Sequence, residues 1–278
     1  MPSARRPLSH HGFLAGAILV ALFAGAALLA PVLAPEDPHA VASGDGATLE
    51  GPTASHPLGT DALGRDVLSR VLWGGRVSLA VGVGVEALVV VLGCVIGLLA
   101  GYFGGPVDAA LMRVTDVVMA FPSLVLAIGL IAVFEQPGLD KVFIVLVALG
   151  WTTIARVVRG EVLSLKTRDF VHAARALGGG HRAIMVRHLL PNALAPLLVA
   201  ATIGVGGNMV AEAGLSFLGL GAQAPTISWG AMLADGQTFL ASAPWVAVFP
   251  GAALLLAVLG MNLLGDGLRD LLDPRLRA

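Results

Sequence analysis

The sequence predicts an all-α membrane protein with six transmembrane helices. Of its 278 residues, 56% are hydrophobic and only 13% are charged, whereas a soluble domain carries about 25% charged residues. The chain therefore lacks the polar side chains that would cover a globular surface. Its apolar runs are long enough to cross a bilayer as helices, which takes at least about 17 residues. These runs lie at 13–34, 77–102, 109–134, 142–158, 192–218 and 245–264.

The first apolar run, 13–34, follows Arg5 and Arg6. A signal peptide is the alternative interpretation, because residues 32–34 resemble a cleavage site. However, the apolar core of a signal peptide is usually about 7–15 residues long. Pro35 would also follow directly after the cut. These observations favour an uncleaved first helix.

The segments between the later runs contain recognisable helix-contact and helix-bending residues. Residues 35–75 are polar and rich in Pro, Gly and Asp, which predicts an extramembrane loop that ends in a short amphipathic piece at 67–72. In the second run, Gly97 and Gly101 form a small-xxx-small pair suited to close helix contact. In the third run, Pro122 predicts a kink.

The distribution of Lys and Arg predicts the orientation, because basic loops stay in the cytoplasm. With the N-terminus inside and six spans, both termini are cytoplasmic. The outer side then holds only Arg65, Arg70, Arg76 and Lys141. The inner side holds Arg5, Arg6, Arg113, Arg156, Arg159, Lys166, Arg168, Arg175, Arg182, Arg187, Arg269, Arg275 and Arg277.

Residues 169–191, called the inner loop here, combine basic charge with a helical pattern. Asp169 predicts an N-cap, and Gly178 can adopt the left-handed conformation that ends a helix. An apolar face between them is formed by Phe170, Ala173, Ala174 and Leu177. Two turns of helix are unstable alone in water, so this helix must pack against lipid headgroups or another protein. The small side chains mildly favour a protein.

The inner loop resembles the EAA loop of ABC importer permeases. In that motif Glu-Ala-Ala is followed by three residues, a Gly, nine residues and Ile-x-Leu-Pro. The matching residues are Ala173, Ala174, Gly178, Leu190 and Pro191. The sequence departs from the motif at His172, which replaces the Glu, and at His188, which replaces the Ile.

Three further blocks resemble the C-type permease subunits of dipeptide, oligopeptide and nickel importers: 56–79, 212–233 and 265–277. Together with the inner loop they follow one another in order along the chain, and the resemblance extends over nearly its whole length. The resemblance implies the permease fold of type I ABC importers. It divides the chain into 1–75, with the first helix and an extracytoplasmic loop, and 76–278, with the five core helices and the inner loop.

The resemblance also implies a role for the inner loop and a set of partners. The short helix would be a coupling helix, seated in a groove of an ATP-binding subunit. The residues implied are Phe170, His172, Ala173, Ala174, Leu177, Gly178, Leu190 and Pro191. The expected partners are a second, homologous permease subunit, two ATP-binding subunits, an extracytoplasmic substrate-binding protein and membrane lipid.

Several classes of protein are not expected from the residues. The chain has no GxxxxGK[ST] phosphate loop, so ATP and Mg²⁺ would be used by the partner subunits and not by this chain. It has no HExxH motif and no compact catalytic set, so no catalytic residue and no enzyme activity are expected. Its histidines lack the spacing of a metal site. Scattered arginines with few aromatic residues argue against nucleic-acid binding.

The implied function is import of di- or oligopeptides across the bacterial inner membrane. A nickel or other small-solute importer of the same build is the alternative, since the binding protein does most of the substrate selection in this family. A secondary transporter is a further alternative from a different class. The chain shows no inverted repeat of the kind found in many secondary transporters.

Two carboxylates, Glu86 and Glu212, fall within predicted spans. Charged groups inside a membrane usually face a bundle interior or water. Each could therefore line the translocation path and contact a peptide amino group, or form a structural hydrogen bond between helices. The residues leave both interpretations open.

Other charged residues have structural alternatives as well. Arg113 and Asp116 are three residues apart, which predicts a local ion pair. Asp61, Arg65 and Asp66 lie in the predicted outer segment. They could dock the binding protein or the partner permease, or they could stabilise the loop itself.

Overall fold

The computed structural model describes residues 6–41 and 48–272, and every regular element in that part of the chain is a helix. This agrees with the predicted all-α fold. Predictions that concern Arg5, Arg275, Arg277 and the end of the block 265–277 fall outside the described residues.

The helices alternate between long, span-length elements and short connecting ones. In chain order they are α1 (Arg6–Leu28), α2 (Ala30–Leu33), α3 (Val67–Phe103), α4 (Gly105–Met119), α5 (Ser123–Ile131), α6 (Leu139–Leu165), α7 (Asp169–Ala176), α8 (His181–Ala183), a π-helical turn (Ile184–Leu189), α9 (Leu190–Phe217), α10 (Trp229–Gly236), a 3₁₀ turn (Gln237–Phe239) and α11 (Trp245–Leu272).

By length and composition, five stretches of the described residues can each cross a membrane as one helix. They are His11–Leu28, Val67–Phe103, Leu139–Leu165, His181–Phe217 and Trp245–Leu272. The pair α4 and α5 also passes this test when it is taken together. Counting that pair as one broken span gives the predicted six.

The predicted kink at Pro122 is a full break. The helices α4 and α5 meet at 85°, and Pro122 becomes the N-cap residue of α5, with its carbonyl accepting from the Leu126 amide at 3.0 Å. Proline has no amide hydrogen, and its ring collides with the preceding turn. A position at the start of a helix avoids both penalties.

The helix α3 begins about ten residues earlier than predicted and absorbs the piece at 67–72. Asp66 explains this start, because its Oδ2 accepts from the Ser69 amide at 2.7 Å and so caps the helix. The result is an unbroken helix of 37 residues. The predicted domain boundary at residue 75 therefore falls inside α3.

Close contact between α3 and α6 forms the centre of the bundle, as Gly97 and Gly101 predicted. A Cβ atom at Gly97 would lie 2.8 Å from the Cβ of Val158, and one at Gly101 would lie 2.8 Å from the Cβ of Val162. No larger side chain fits at these distances. The small residues therefore let the two backbones approach. The other side of α3 packs on α9, while α1 packs along α11.

The predicted ion pair between Arg113 and Asp116 is wrong. Asp116 instead accepts from Nη2 of Arg156 on α6 at 2.6 Å. About two helical turns away on α4, Asp108 binds Arg159 of α6 through two contacts of 2.5 and 2.7 Å. A guanidinium on a neighbouring helix can bind both oxygens of a carboxylate. The arginines of α6 therefore pair with the carboxylates of α4, and Arg113 of α4 does not. These pairs fix α4 against α6.

Candidate functional site

The inner loop begins with α7, which starts one residue earlier than predicted. Arg168 is the extended N-cap residue, and Asp169 is the first residue of the helix. The prediction of Asp169 as N-cap is therefore wrong, since no side chain caps this helix. The Arg168 carbonyl accepts from the amides of Val171 and His172 at 3.0 and 3.3 Å. Asp169 still places a negative charge in the first turn, where the helix dipole favours it.

The end of α7 is a Schellman motif centred on Gly178. The φ of Gly178 is +80°, the left-handed conformation expected from the sequence. The Gly179 amide donates to the Ala174 carbonyl at 2.9 Å, and the Gly178 amide donates to the Arg175 carbonyl at 2.9 Å. This pair of bonds satisfies carbonyls that the helix end leaves free. Two turns of helix are thereby given a defined end.

The residues on α7 that are buried differ from those expected. The side chain of Val171 is fully buried in a core that also contains Ile184 and Leu189. The predicted apolar face points away from this core: Phe170 is 40% exposed, Leu177 is 89% exposed, and His172 and Ala173 are exposed as well. Only Ala174 is partly buried against the core. The short helix therefore has an inner contact through Val171 and an unpartnered outer face.

Sequence reasoning missed the contact made by Val171. The i, i+3, i+4 pattern assigned the apolar face of α7 to residues on a different side of the helix. A short helix can have two apolar sides, and the periodicity of one hides the other. The only available signal was an extra β-branched apolar residue, Val171, outside the predicted face.

The C-terminal end of the inner loop runs directly into a span. There α8, the π-helical turn and α9 form one continuous helical stretch, His181–Phe217. Leu190 is half-buried and Pro191 is exposed in the first turn of α9. Because Pro191 has no amide hydrogen, the α-helical bonding pattern is interrupted there. The wider π-helical turn, Ile184–Leu189, lies directly before this interruption.

Glu212 lies at the junction of three helices. It is fully buried on α9, where it accepts from Ser78 Oγ on α3 at 3.2 Å and from Ser216 Oγ at 2.7 Å. The amide of Trp229, at the start of α10, donates to the same Ser78 hydroxyl at 3.2 Å. These bonds support the structural alternative for Glu212. A role in the path stays a prediction.

Glu86 forms a second buried link between α3 and α9. Its Oε2 accepts from Asn208 Nδ2 at 2.8 Å, whereas its Oε1 is buried without a hydrogen-bond partner among the described residues. A Cβ atom at Gly204 would collide with the carboxyl group. The glycine therefore makes the room in which Glu86 lies. Its role in the path also stays a prediction.

The residues 48–66, called the outer loop here, use their charges internally. Asp61 is 4% exposed, and its Oδ2 lies 2.7 Å from Arg65 Nε and 3.4 Å from Arg70 Nε. Asp66 is fully buried as the cap of α3. Arg70 also lies 3.5 Å from Asp235 of α10. Of the two alternatives for these residues, the geometry favours stabilisation of the loop.

With this geometry described, comparison with known proteins assigns the chain to a family. Residues 93–278 match the family described as binding-protein-dependent transport system inner membrane component. The chain belongs to this family. The matched part contains α4 to α11, including the whole inner loop. The resemblance to ABC importer permeases seen in the sequence is thereby confirmed.

Full-length relatives of this permease agree with the assignment. The dipeptide transport system permease protein of Alkalihalophilus pseudofirmus is 41% identical over 263 residues, which cover 95% of this chain and 86% of the relative. A putative peptide transport system permease protein of Brucella abortus is 42% identical, with 99% and 92% covered. The glutathione transport system permease protein of Pectobacterium atrosepticum is 41% identical, with 99% and 90% covered.

The family and the helices together establish the class of the protein. The permease is a multi-pass protein of the inner membrane and the membrane component of an ABC transport system. Such a system works with a binding protein and with ATPase subunits, as the family description and its transport class imply. The named relatives are themselves permease subunits.

Proposed function

We propose that this permease is part of an importer of di- or oligopeptides and that the inner loop couples it to ATP hydrolysis. Identity of 41–42% with dipeptide, peptide and glutathione permeases over most of the chain supports the substrate class. The exposed outer face of α7 supports the coupling role. Leu177 at 89% exposure is the observation that carries it.

The chemistry of α7 suits a groove in another protein. Phe170 and Leu177 present apolar surface, and Ala173 between them lets a partner approach closely. Burying such surface against a partner is favourable, at about 25 cal/mol per Å². Anchoring through Val171 on the opposite side would transfer a push on the helix into the bundle. Leu190 and Pro191 hold the far end of the inner loop at the start of α9.

His172 is the point at which the coupling helix departs from the motif. Its side chain is exposed beside Ala173. It makes no side-chain hydrogen bond among the described residues, so it is free to face an ATP-binding subunit. In this proposal it takes the place of the motif's Glu at that interface. An imidazole can donate or accept a hydrogen bond there.

In this proposal the transporter has two conformations, open inward and open outward, and ATP shifts the equilibrium between them. Closure of two ATP-binding subunits would move the coupling helices of this chain and of a second, homologous permease subunit. The membrane cavity between the two permeases would then alternate between inward and outward access. An extracytoplasmic binding protein would deliver the peptide. Both termini and the inner loop are cytoplasmic in this arrangement, as the basic residues predict.

The experiment is reconstitution of the complete complex in proteoliposomes with ATP inside and the binding protein outside. We expect uptake of a labelled di- or tripeptide that requires both ATP and the binding protein. Mass spectrometry of solute that co-purifies with the binding protein would select the peptide. An ATP-binding subunit without its phosphate-loop lysine is the control, and it should abolish uptake.

The same assay separates the alternatives. Uptake of Ni²⁺ in place of peptide would overturn the substrate class and leave the transporter class intact. Uptake that persists without ATP or without the ATP-binding subunits would indicate a secondary transporter and overturn the proposal as a whole.

A further inference from the structure

The cytoplasmic end of α3 contacts the inner loop through two aromatic residues, the buried Tyr102 and its neighbour Phe103. The Tyr102 hydroxyl oxygen and Nδ1 of His181 are 2.8 Å apart, a hydrogen bond between the last turn of α3 and the first residue of α8. The two rings also meet edge to face, with centroids 5.6 Å apart. Tyr102 is buried, whereas His181 is exposed. The pair therefore joins two elements that are far apart in sequence.

Two further contacts converge on the same end of α3. The guanidinium of Arg175, in the last turn of α7, lies 5.5 Å from the centre of the Tyr102 ring, which is within cation–π range. Lys166, just after α6, donates from Nζ to the Gly101 carbonyl at 2.8 Å. The end of α3 is thus held by Arg175 of α7 and by residues that precede and follow that helix, Lys166 and His181.

These contacts are noncovalent, and α3 has no covalent link to α7 nearby. The helix α6 continues into α7 through 166–168, and α9 continues from α8 through the π-helical turn. Motion of α7 reaches those two helices along the chain. It reaches α3 only by packing and by the contacts at Tyr102 and Gly101.

The helix α3 is well suited to carry such motion. It is 37 residues long without a proline, which corresponds to about 55 Å. By contrast, α9 begins with a π-helical turn and contains Pro196. In its outer third α3 bears Ser78, which contacts both α9 and α10. A rigid rod therefore connects the inner loop to the outer side of the bundle.

We propose that the hydrogen bond between Tyr102 and His181 makes α3 move together with the inner loop, to which α7 and α8 both belong. Tyr102 and His181 are then positioning residues for coupling, and the bond deepens the proposed coupling role on which it rests. Without it, the ATP-binding subunits would still move α7, and α3 would follow incompletely. ATP hydrolysis would continue while less substrate crossed per ATP.

The first test is Tyr102→Phe in the reconstituted complex. The phenyl ring keeps its contacts with Arg175 and His181 and loses only the hydroxyl. One hydrogen bond changes an equilibrium constant by about two- to tenfold. We therefore expect a fall of about that size in substrate transported per ATP hydrolysed, with complex assembly unchanged and the melting temperature lowered by no more than a few degrees.

Variants of His181 distinguish a hydrogen bond from simple packing. His181→Leu should match the defect of Tyr102→Phe, because it removes the partner atom. His181→Asn should restore most of the ratio, because the asparagine amide places a polar atom where the ring has Nδ1. The double variant Tyr102→Phe, His181→Leu should be no worse than either single change, since both remove the same bond.

The matched control is Thr167→Val. Thr167 is exposed beside the same contacts, and its hydroxyl donates only to the Ser164 carbonyl at 3.0 Å, within its own segment. Removing it should leave the ratio unchanged. A wild-type ratio in both Tyr102→Phe and His181→Leu, or a His181→Asn variant as impaired as His181→Leu, would overturn the inference. Absence of ATP-dependent uptake in the wild-type complex would instead overturn the proposed function.

Discussion

The outer loop and the inner loop differ in which side chains they bury and which they expose. In the outer loop, residues 48–66, charged groups are buried: Asp61 is paired with two arginines, and Asp66 caps α3. In the inner loop, residues 169–191, apolar groups are exposed, and Leu177 leaves 89% of its surface uncovered. Charge inside and apolar surface outside are each unusual for a loop.

The difference indicates which loop is complete within this chain. In the outer loop, Asp61 is paired with two arginines of this chain and Asp66 caps α3, and the Thr60 carbonyl accepts from the Trp245 indole at 3.1 Å. In the inner loop, by contrast, Leu177 is not covered by any other part of the described chain. Substitutions in the outer loop should therefore change stability, whereas substitutions on the inner loop should change transport.

The largest expected effect on transport is that of Gly178→Trp. No atom outside the local backbone lies within 4 Å of a Cβ at Gly178, so the indole fits within this chain and projects toward the proposed partner. We expect the permease to fold and insert while uptake in the reconstituted complex is abolished. Substrate-stimulated ATP hydrolysis should be lost at the same time.

The variant Gly178→Ala separates bulk from backbone strain. Both substitutions place a side chain at φ +80°, which costs about 1–2 kcal/mol. Alanine adds almost no bulk, so it should retain most of the transport. Normal substrate-stimulated ATP hydrolysis in Gly178→Trp would contradict the coupling role of the inner loop.

The next effect concerns stability and the outer loop. In Asp61→Asn the two arginines lose a buried countercharge, and breaking a buried pair costs about 3–5 kcal/mol. We expect a lower melting temperature and less protein in the membrane. Transport per folded complex should be unchanged, because the outer loop is complete within the chain.

Asp116→Asn is the matched control for this substitution. It removes a carboxylate from a pair in which both side chains are about half exposed, and such pairs contribute about 0–1 kcal/mol. Its melting temperature should stay close to that of the wild type. A comparable loss in both variants would show that burial of Asp61 is not what stabilises the outer loop.

The sequence predicts most of the helices and the end of α7 because those features depend on local physics. Apolar length identifies the spans, and Gly178 supplies the left-handed residue that the end of α7 requires. Gly97 and Gly101 of α3 likewise predict close packing of that helix against a neighbour. These signals do not need knowledge of distant residues.

The features that were predicted wrongly depend on contacts between distant parts of the chain. Whether α7 buries Val171 or Phe170 is decided by the core beneath it. Whether Asp116 pairs with Arg113 or Arg156 is decided by the position of α6. No local pattern specifies these choices, and the bend at Pro122 likewise depends on how α5 packs.

The smallest effect tests the exposed face of the inner loop directly. Leu177→Ser removes apolar surface from a side chain that contacts almost nothing in this permease, so its melting temperature should not change. If an ATP-binding subunit covers Leu177, burial of a leucine contributes about 1.5–3 kcal/mol, and affinity for that subunit should fall by at least about tenfold. Titration of the ATP-binding subunit into permease in nanodiscs measures this affinity.

Val32→Ser is the control, because Val32 is 82% exposed and lies in α2, away from the inner loop. Equal affinities for Leu177→Ser and Val32→Ser would mean that the inner loop, like the outer one, is complete by itself, and the contrast between the two loops would lose its functional meaning.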